Sequence, residues 1–232
     1  FGATDSDGNP SPDPAAGPRS FVYDEEYVWN YEVYLRAGLL EDRLFVDANL
    51  FYSDWEDQQR VEQISFAGGF TETVISNTPE SRSYGAEIGL SYHPIAELDL
   101  TAGLGFLDTE IEESGDPTLE GNEFARAPNL TATLGTVYRP AADWSVGADA
   151  RYTGSYYSTD ANSPTGEVDD FVIVNAQVAW SGVEHLRVSA EVTNLFDSDA
   201  ERRLFAFPAT SPPTLANVVE PRTFWLSVEG SF

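Results

Sequence analysis

From Trp29 to the last residue, apolar side chains recur at every second position in runs of about ten residues, the period of a strand with one greasy face and one wet face. The runs come in pairs. Trp29, Tyr31, Val33, Leu35 and Ala37 share a face against Asn30, Glu32, Tyr34 and Arg36, and Leu44, Val46, Ala48, Leu50 and Tyr52 answer them across Leu39 to Asp42. Ala86, Ile88, Leu90 and Tyr92 lie beside Leu98, Leu100, Ala102, Leu104 and Phe106 across His93-Pro94-Ile95-Ala96. Leu130, Ala132, Leu134 and Tyr138 then precede Trp144, Val146, Ala148, Ala150 and Tyr152 across Pro140-Ala141-Ala142. Val172, Val174, Ala176, Val178 and Trp180 face Leu186, Val188, Ala190 and Val192 across Ser181 to Glu184. A closing strand puts Phe224, Leu226, Val228, Gly230 and Phe232 on one face, which brings the count to about nine strands.

The links within pairs are short, whereas stretches 54–83, 108–127, 155–170 and 194–221 are long and rich in Gly, Pro, Asp, Glu and Ser. They read as loops, with room for strand extensions such as Leu204 to Phe207. Short turns on one rim and long loops on the other is the pattern of an outer-membrane barrel, short turns periplasmic and long loops outside. The aromatics agree: Tyr92, Tyr138, Trp144, Trp180 and Phe232 have apolar-face parity at the short-turn end, and Tyr52, Phe106, Tyr152 and Phe224 have it toward the loops. No run approaches the roughly 18 apolar residues of a membrane helix. Any crossing is therefore by strands, whose backbone groups are satisfied only in a closed sheet. The first strand starts from the long-loop rim and the last ends on the short-turn rim, an odd count where single-chain bacterial barrels have an even one. The expectation is a missing amino-terminal part, with residues 1–27 an extracellular loop segment and 28–232 the carboxy-terminal part of a barrel. Such a piece is expected to be an open, curved sheet with unpaired edges.

Composition changes little. In 232 residues, 41% are hydrophobic and mean hydropathy is -0.30, values a soluble protein would also show. The absence of Cys removes disulfides and thiol-bound metals. With 12 Lys+Arg against 39 Asp+Glu, a net charge of -27 repels a polyanion, so nucleic acid is excluded as a partner. The chain starts at Phe1 without the charged and apolar regions of a signal peptide, which points to a removed leader or a fragment.

Four places resemble the carboxy-terminal part of TonB-dependent outer-membrane receptors of the siderophore-receptor type. They are Glu26-Tyr-Val-Trp-Asn-Tyr-Glu-Val-Tyr-Leu-Arg36 with Asp42-Arg-Leu-Phe-Val-Asp-Ala-Asn-Leu-Phe-Tyr52; Tyr84-Gly-Ala-Glu-Ile88 with Leu98-Asp-Leu-Thr-Ala-Gly-Leu-Gly-Phe-Leu-Asp108; Ala127-Pro-Asn-Leu130; and Val192-Thr-Asn-Leu-Phe-Asp197 with Pro221-Arg-Thr-Phe224 and Phe232. Their order and spacing over residues 25–232 carry the likeness, although Val33-Tyr-Leu-Arg36 stands where the family often has Gly-Leu-Lys. The resemblance implies a 22-stranded barrel, plugged by an amino-terminal domain that couples to an inner-membrane energy complex. This chain would supply about nine of those strands, an all-β, antiparallel, up-and-down transmembrane portion of the larger barrel.

The candidate chemistry is sparse. His93 and His185 sit at short turns and read as surface-turn residues, away from any external ligand, and no Ser-His pair is placed for hydrolysis. No enzyme is expected, and no metal site or cofactor. Asp5-Ser-Asp-Gly-Asn9 lacks the sixth-position Gly and twelfth-position Glu of a calcium loop. Glu110, Glu112, Glu113, Asp116, Asp160, Glu167, Asp169 and Asp170 read as solvated loop acids, with divalent ions bridging lipopolysaccharide as the other reading. On the lumen face, Glu32, Asp47, Glu87, Asp149, Arg151, Arg187, Glu191 and Glu229 either meet a plug or simply hydrate the lumen and pair across strands. In or beside the outer loops, Tyr156, Tyr157, Phe205 and Phe207 with Arg126, Arg202 and Arg203 form a candidate cradle for an anionic ferric chelate.

The reading is thus a barrel portion of an energised receptor in the bacterial outer membrane, taking up a scarce ligand such as a ferric siderophore. Its expected partners are membrane lipid, the plug and barrel half missing from this chain, the TonB complex reached through that missing part, and a small-molecule chelate. A passive porin-like or structural barrel is the alternative.

Overall fold

The computed structural model describes residues 23–65, 71–205 and 215–230; the side chains of 62–65, 71–74 and 205 lie outside what it describes. Its strands, in chain order, are β1 Tyr27–Leu39, β2 Leu44–Ser65, β3 Thr71–Ile95, β4 Leu98–Glu113, β5 Leu130–Ala141, β6 Trp144–Thr153, β7 Tyr156–Tyr157, β8 Glu167–Val168, β9 Phe171–Val183, β10 Leu186–Thr193, β11 Glu201–Phe205, β12 Leu215–Val218 and β13 Thr223–Gly230. Nine of them form one antiparallel sheet in the order β1-β2-β3-β4-β5-β6-β9-β10-β13. Neighbours in space are neighbours in the chain, the small outer strands aside, which is the up-and-down order expected from the alternation. Among the described residues β1 and β13 are the two ends of that order and do not pair with each other.

Register decides how the two faces are built, because a slip of one residue would turn every side chain over. It holds apolar against apolar across the sheet: Ala48 opposes Leu35 and Ile88, Leu104 opposes Ile88 and Ala132, Ala150 opposes Leu134 and Val174, and Leu226 opposes Ala190. The other face runs through Asp47, Gly89, Gly103, Thr133 and Arg151. The apolar face is open, with Val33, Leu134 and Leu226 70%, 63% and 76% exposed, so among the described residues no second layer covers it. The residues expected to form aromatic girdles fall in rows, Trp144 opposite Trp180 with ring centroids 6.5 Å apart, and Tyr52 opposite both Tyr31 and Tyr84.

Three expectations change. Stretch 54–83 is mostly strand: β2 and β3 continue as a paired hairpin to Ser65 and Thr71, with Asp57 at φ 54 beside Pro79, which has no N–H to offer the ladder. The short links are tighter than read, since β3 runs through Pro94 to Ile95 and β5 through Pro140 to Ala141, each with a bulge before the turn. Part of the last loop is a two-stranded sheet of β11 and β12, and β11, Glu201–Phe205, begins three residues before the expected extension at Leu204. Residues 1–22, Phe207 and Phe232 lie outside the described residues, and so does Asp5-Ser-Asp-Gly-Asn9. The segment assigned to an outer loop ends in strand, since Tyr27 already pairs with Glu56.

Candidate functional site

The upper end of β4 is where the long loops meet. After Glu113 the chain turns at Asp116, whose carboxylate accepts the Thr118 N–H at 3.0 Å and the Thr118 hydroxyl at 2.8 Å; these bonds hold its pKa below the usual carboxylate range. The segment then folds back on β4: the Gly121 N–H donates to the Ile111 carbonyl at 2.8 Å, the Ile111 N–H to Asn122 at 2.9 Å, and the Phe124 N–H to the Thr109 hydroxyl at 2.9 Å. Thr109 and Ile111 share the parity of Gly103 and are buried, so the loop lies on the polar face.

Asp160, from the loop between β6 and β9, joins this segment to the β2–β3 hairpin. Its Oδ2 accepts from Arg60 Nε at 3.0 Å, its Oδ1 meets Arg60 Nη2 and also accepts the Ala125 N–H at 2.6 Å, and its carbonyl accepts from Asn122 Nδ2 at 2.9 Å. The Arg60 guanidinium lies 4.1 Å from the centre of the Phe124 ring. Both partners are close to buried, with side chains 11% and 13% exposed, so the pair is desolvated as well as bonded. This corrects the expectation for Asp160 as a solvated loop acid. Glu110 and Glu112 also depart from it, since both pair with Arg82 on β3.

Beside this clamp, four of the residues expected to bind ligand come together. The Arg126 N–H donates to the Tyr157 carbonyl at 2.7 Å with Arg126 at φ 61, and the Tyr156 hydroxyl donates to the Arg202 carbonyl at 2.7 Å. Burial pushes the Tyr156 phenol up from its ordinary value, and the positive charges of Arg202 and Arg126 oppose that rise, so both guanidiniums act on the same ring. The Leu204 N–H donates to the Ser158 hydroxyl at 2.9 Å, which ties β11 to the same loop. Arg126 and Arg202 are exposed; Arg203 follows on β11, half-buried; the Phe205 side chain and Phe207 are outside the described residues.

The eight lumen residues fall on one face by register, but that face is less uniform than the alternation suggested. Arg36 Nε reaches Asp47 at 2.6 Å and the Tyr34 hydroxyl donates to the same oxygen at 2.8 Å. Asp149 accepts from Asn175 at 2.8 Å, Arg187 stands opposite Glu229, and Glu191 opposite Gln177 and Trp225. Glu87 opposes Asn49 and Gly105, and Glu32 opposes Phe51. Phe51 and Trp225 were not anticipated here; Phe51 lies against Gly85, an empty position beside an aromatic that the sequence does display.

At the short-turn rim a serine and a histidine do lie side by side. Ser91 Oγ lies 3.4 Å from His93 Nε2, and His93 Nδ1 lies 2.6 Å from Asp99. The other Asp99 oxygen is held by Arg139 at 2.6 Å, so the carboxylate braces two strands rather than serving His93 alone. His93 thus lies within β3, two residues before its end at Ile95, whereas His185 does sit in the turn before β10, at φ 65.

An antiparallel sheet with one continuous apolar face, one mixed polar face and all its large loops on one rim is a portion of a transmembrane barrel wall. The chain belongs to the family of TonB dependent receptor-like β-barrels, whose model matches residues 3–195. The probable TonB-dependent siderophore receptor PiuA of Acinetobacter baumannii is 27% identical over 186 residues, 76% of this chain and 24% of that protein. The catecholate siderophore receptor Fiu of Escherichia coli strain K12 is 26% identical over 204 residues, 87% of this chain and 25% of that protein. The crystal structure of the siderophore receptor PiuA from Acinetobacter baumannii has the same fold, with a TM-score of 0.73 at 23% identity over 94% of this chain and 30% of that one. The chain therefore spans about a quarter of the length of the curated relatives it matches. The family is one of transport receptors.

Proposed function

We propose that this chain is the carboxy-terminal barrel portion, about residues 28–232, of a bacterial outer-membrane receptor that takes up a ferric siderophore with energy from the TonB complex. The observation that carries the reading is the meeting of Arg126 and Arg202, through hydrogen bonds to Tyr157 and Tyr156, at the loop end of a lipid-type strand wall. In a chain of net charge -27, two arginines brought to one place make a local exception. Planar guanidinium forks and phenol rings suit an anionic, aromatic iron chelate, binding oxygen by paired hydrogen bonds and ring by stacking. Tyr157, Arg203, Phe205 and Phe207 would extend that cradle.

Among the described residues the outer edges of β1 and β13 have no partner strand, and the rest of a longer barrel would supply one to each. The polar-face carboxylates and Arg151 and Arg187 would line its lumen against an amino-terminal plug, and transport rather than catalysis would be the result. Residues 1–27 would belong to an outer loop. Two relatives in the comparison are themselves named as siderophore receptors, one of them for catecholates.

The test is uptake of radiolabelled iron, presented as a ferric catecholate and as a ferric hydroxamate, by cells that carry or lack the full-length protein. Uptake that needs the protein and stops with a protonophore supports the proposal. Entry that continues without the proton gradient would mean a passive pore, and no difference between the strains would remove iron chelates as the cargo.

A further inference from the structure

We infer that Arg60 and Asp160 are positioning residues for Arg126, a role that rests on the proposed ligand reading of that arginine. Arg126 cannot hold its own place. It stands at φ 61, a left-handed conformation in which a non-glycine residue is strained and persists only when its surroundings over-determine it. Two backbone bonds do so, the Ala125 N–H donating to Asp160 Oδ1 at 2.6 Å and the Arg126 N–H donating to the Tyr157 carbonyl at 2.7 Å. Both acceptors belong to the loop between β6 and β9, and that loop is fixed in turn by the Arg60–Asp160 pair at 3.0 Å.

The fastening is crosswise. Asn162 Nδ2 donates to the Glu123 carbonyl at 3.0 Å while the Glu123 N–H donates to Asn162 Oδ1 at 2.7 Å, so the same two segments are stitched a second time. Arg60 is placed from below by Gln58, whose Oε1 accepts from Arg60 Nη1 at 2.9 Å and from the buried Ser81 hydroxyl at 2.8 Å. The hairpin of β2 and β3 thus reaches over the polar face and pins two loops that are far apart in the chain. With one charge removed, the other is left desolvated and unpaired, and the loops separate rather than relax slightly. The outer segments of this chain then behave as one roof, with the direction of the Arg126 guanidinium set by a residue pair that touches no ligand.

A double-mutant cycle on the full-length protein in detergent tests this, with a ferric tris-catecholate as the titrated probe and hydrogen exchange at 116–129 and 156–168 read in parallel. The variants are Arg60→Ala, Asp160→Ala, Arg126→Gln and the Arg60→Ala/Arg126→Gln double. Arg60→Ala and Asp160→Ala are expected to lose amide protection in both segments together and to weaken probe binding about tenfold, while Arg126→Gln weakens binding with protection unchanged. Acting through Arg126, the double variant should bind no more weakly than Arg126→Gln. Additive losses would overturn the positioning role. So would protection in 116–129 that survives Arg60→Ala, whatever the probe does. Wild-type and Arg126→Gln proteins that bind the probe equally, or not at all, would overturn the ligand reading instead; the role would then fall with it, although the clamp itself is still judged by the exchange result.

Discussion

The Asn194 N–H donates to the Oδ1 of Asn175, 3.0 Å away, at the point where β10 leaves the sheet. Asn194 is buried at 4% exposure and at φ 50, and its own amide closes the turn behind it: Nδ2 donates to the carbonyls of Ser198 at 2.8 Å and Glu220 at 2.9 Å, and Oδ1 accepts the Ser198 N–H at 2.9 Å. One side chain therefore gathers both ends of the last outer loop. Asn is suited to this because it tolerates a left-handed backbone and carries both donor and acceptor.

Asn194→Ala should cost about 3 kcal/mol, since it removes the three hydrogen bonds that this buried amide makes to Ser198 and Glu220. Asn194→Gly relaxes the backbone and should recover about 1 kcal/mol of that. Urea titration of the full-length protein in detergent, followed by tryptophan fluorescence, reads both. Equal midpoints for wild type and Asn194→Ala would show that the turn is held elsewhere.

Gly85 leaves no room for a side chain. A Cβ there would come within 2.3 Å of the Phe106 carbonyl oxygen and 2.6 Å of the Phe51 ring. Gly85→Ala should destabilise the β3–β4 pairing by about 1–3 kcal/mol. Adding Phe51→Ala should relieve only part of this, because the backbone oxygen does not move out of the way as a side chain can. Loss of the folded, fast-migrating band on unheated gels at lower temperature is the readout.

Three acids stand in a row. Glu80 stands opposite Glu56 on one side and Glu113 on the other, beyond the Tyr52–Tyr84 row on the loop side. Glu113 is the main cause that raises the Glu80 pKa, helped by burial and by Glu112. A raised carboxyl pKa means that the folded state holds its proton more tightly. Its contribution to stability is present below the unfolded value, about 4.3, and is lost as pH rises through the higher folded value. Exchange rates at this end of the hairpin, corrected for intrinsic pH dependence, should rise between mildly acidic and neutral pH, and Glu80→Gln should flatten the profile. An unchanged profile in Glu80→Gln would show that the repulsion does not limit opening there.

The wall was legible in the sequence because lipid imposes a strict rule. A residue such as Leu134 or Leu226 has no choice of face, so period-two alternation places it and its cross-strand partners. Beyond the bilayer that rule lapses: β2 past Asp54 and β3 before Ser83 are strand with polar residues on both faces, and nothing in their pattern separates them from a loop. Phe51 escaped because the polar face admits an aromatic where a glycine such as Gly85 receives it, and Trp225 because it stands exposed on the last strand of the sheet. Asp160 was illegible for a different reason. Its partner Arg60 is a hundred residues away in the chain, and acidic loop residues that end up paired look no different from those left in water. Asn194 offered the clearest overlooked sign, an Asn directly after a strand in Val192-Thr-Asn-Leu-Phe-Asp197.

A barrel wall requires that the apolar face of this sheet meet lipid and the other face meet water. Because the chain contains no Cys, single cysteines can be placed along β5 at positions 131–137, spin-labelled, and probed with oxygen as the lipid-soluble relaxant and a nickel chelate as the aqueous one. Strict alternation is expected in reconstituted full-length protein: labels at Ala132 and Leu134 favour oxygen, and labels at Thr131, Thr133 and Gly135 favour nickel. Uniform access of the nickel chelate to both sets would contradict it.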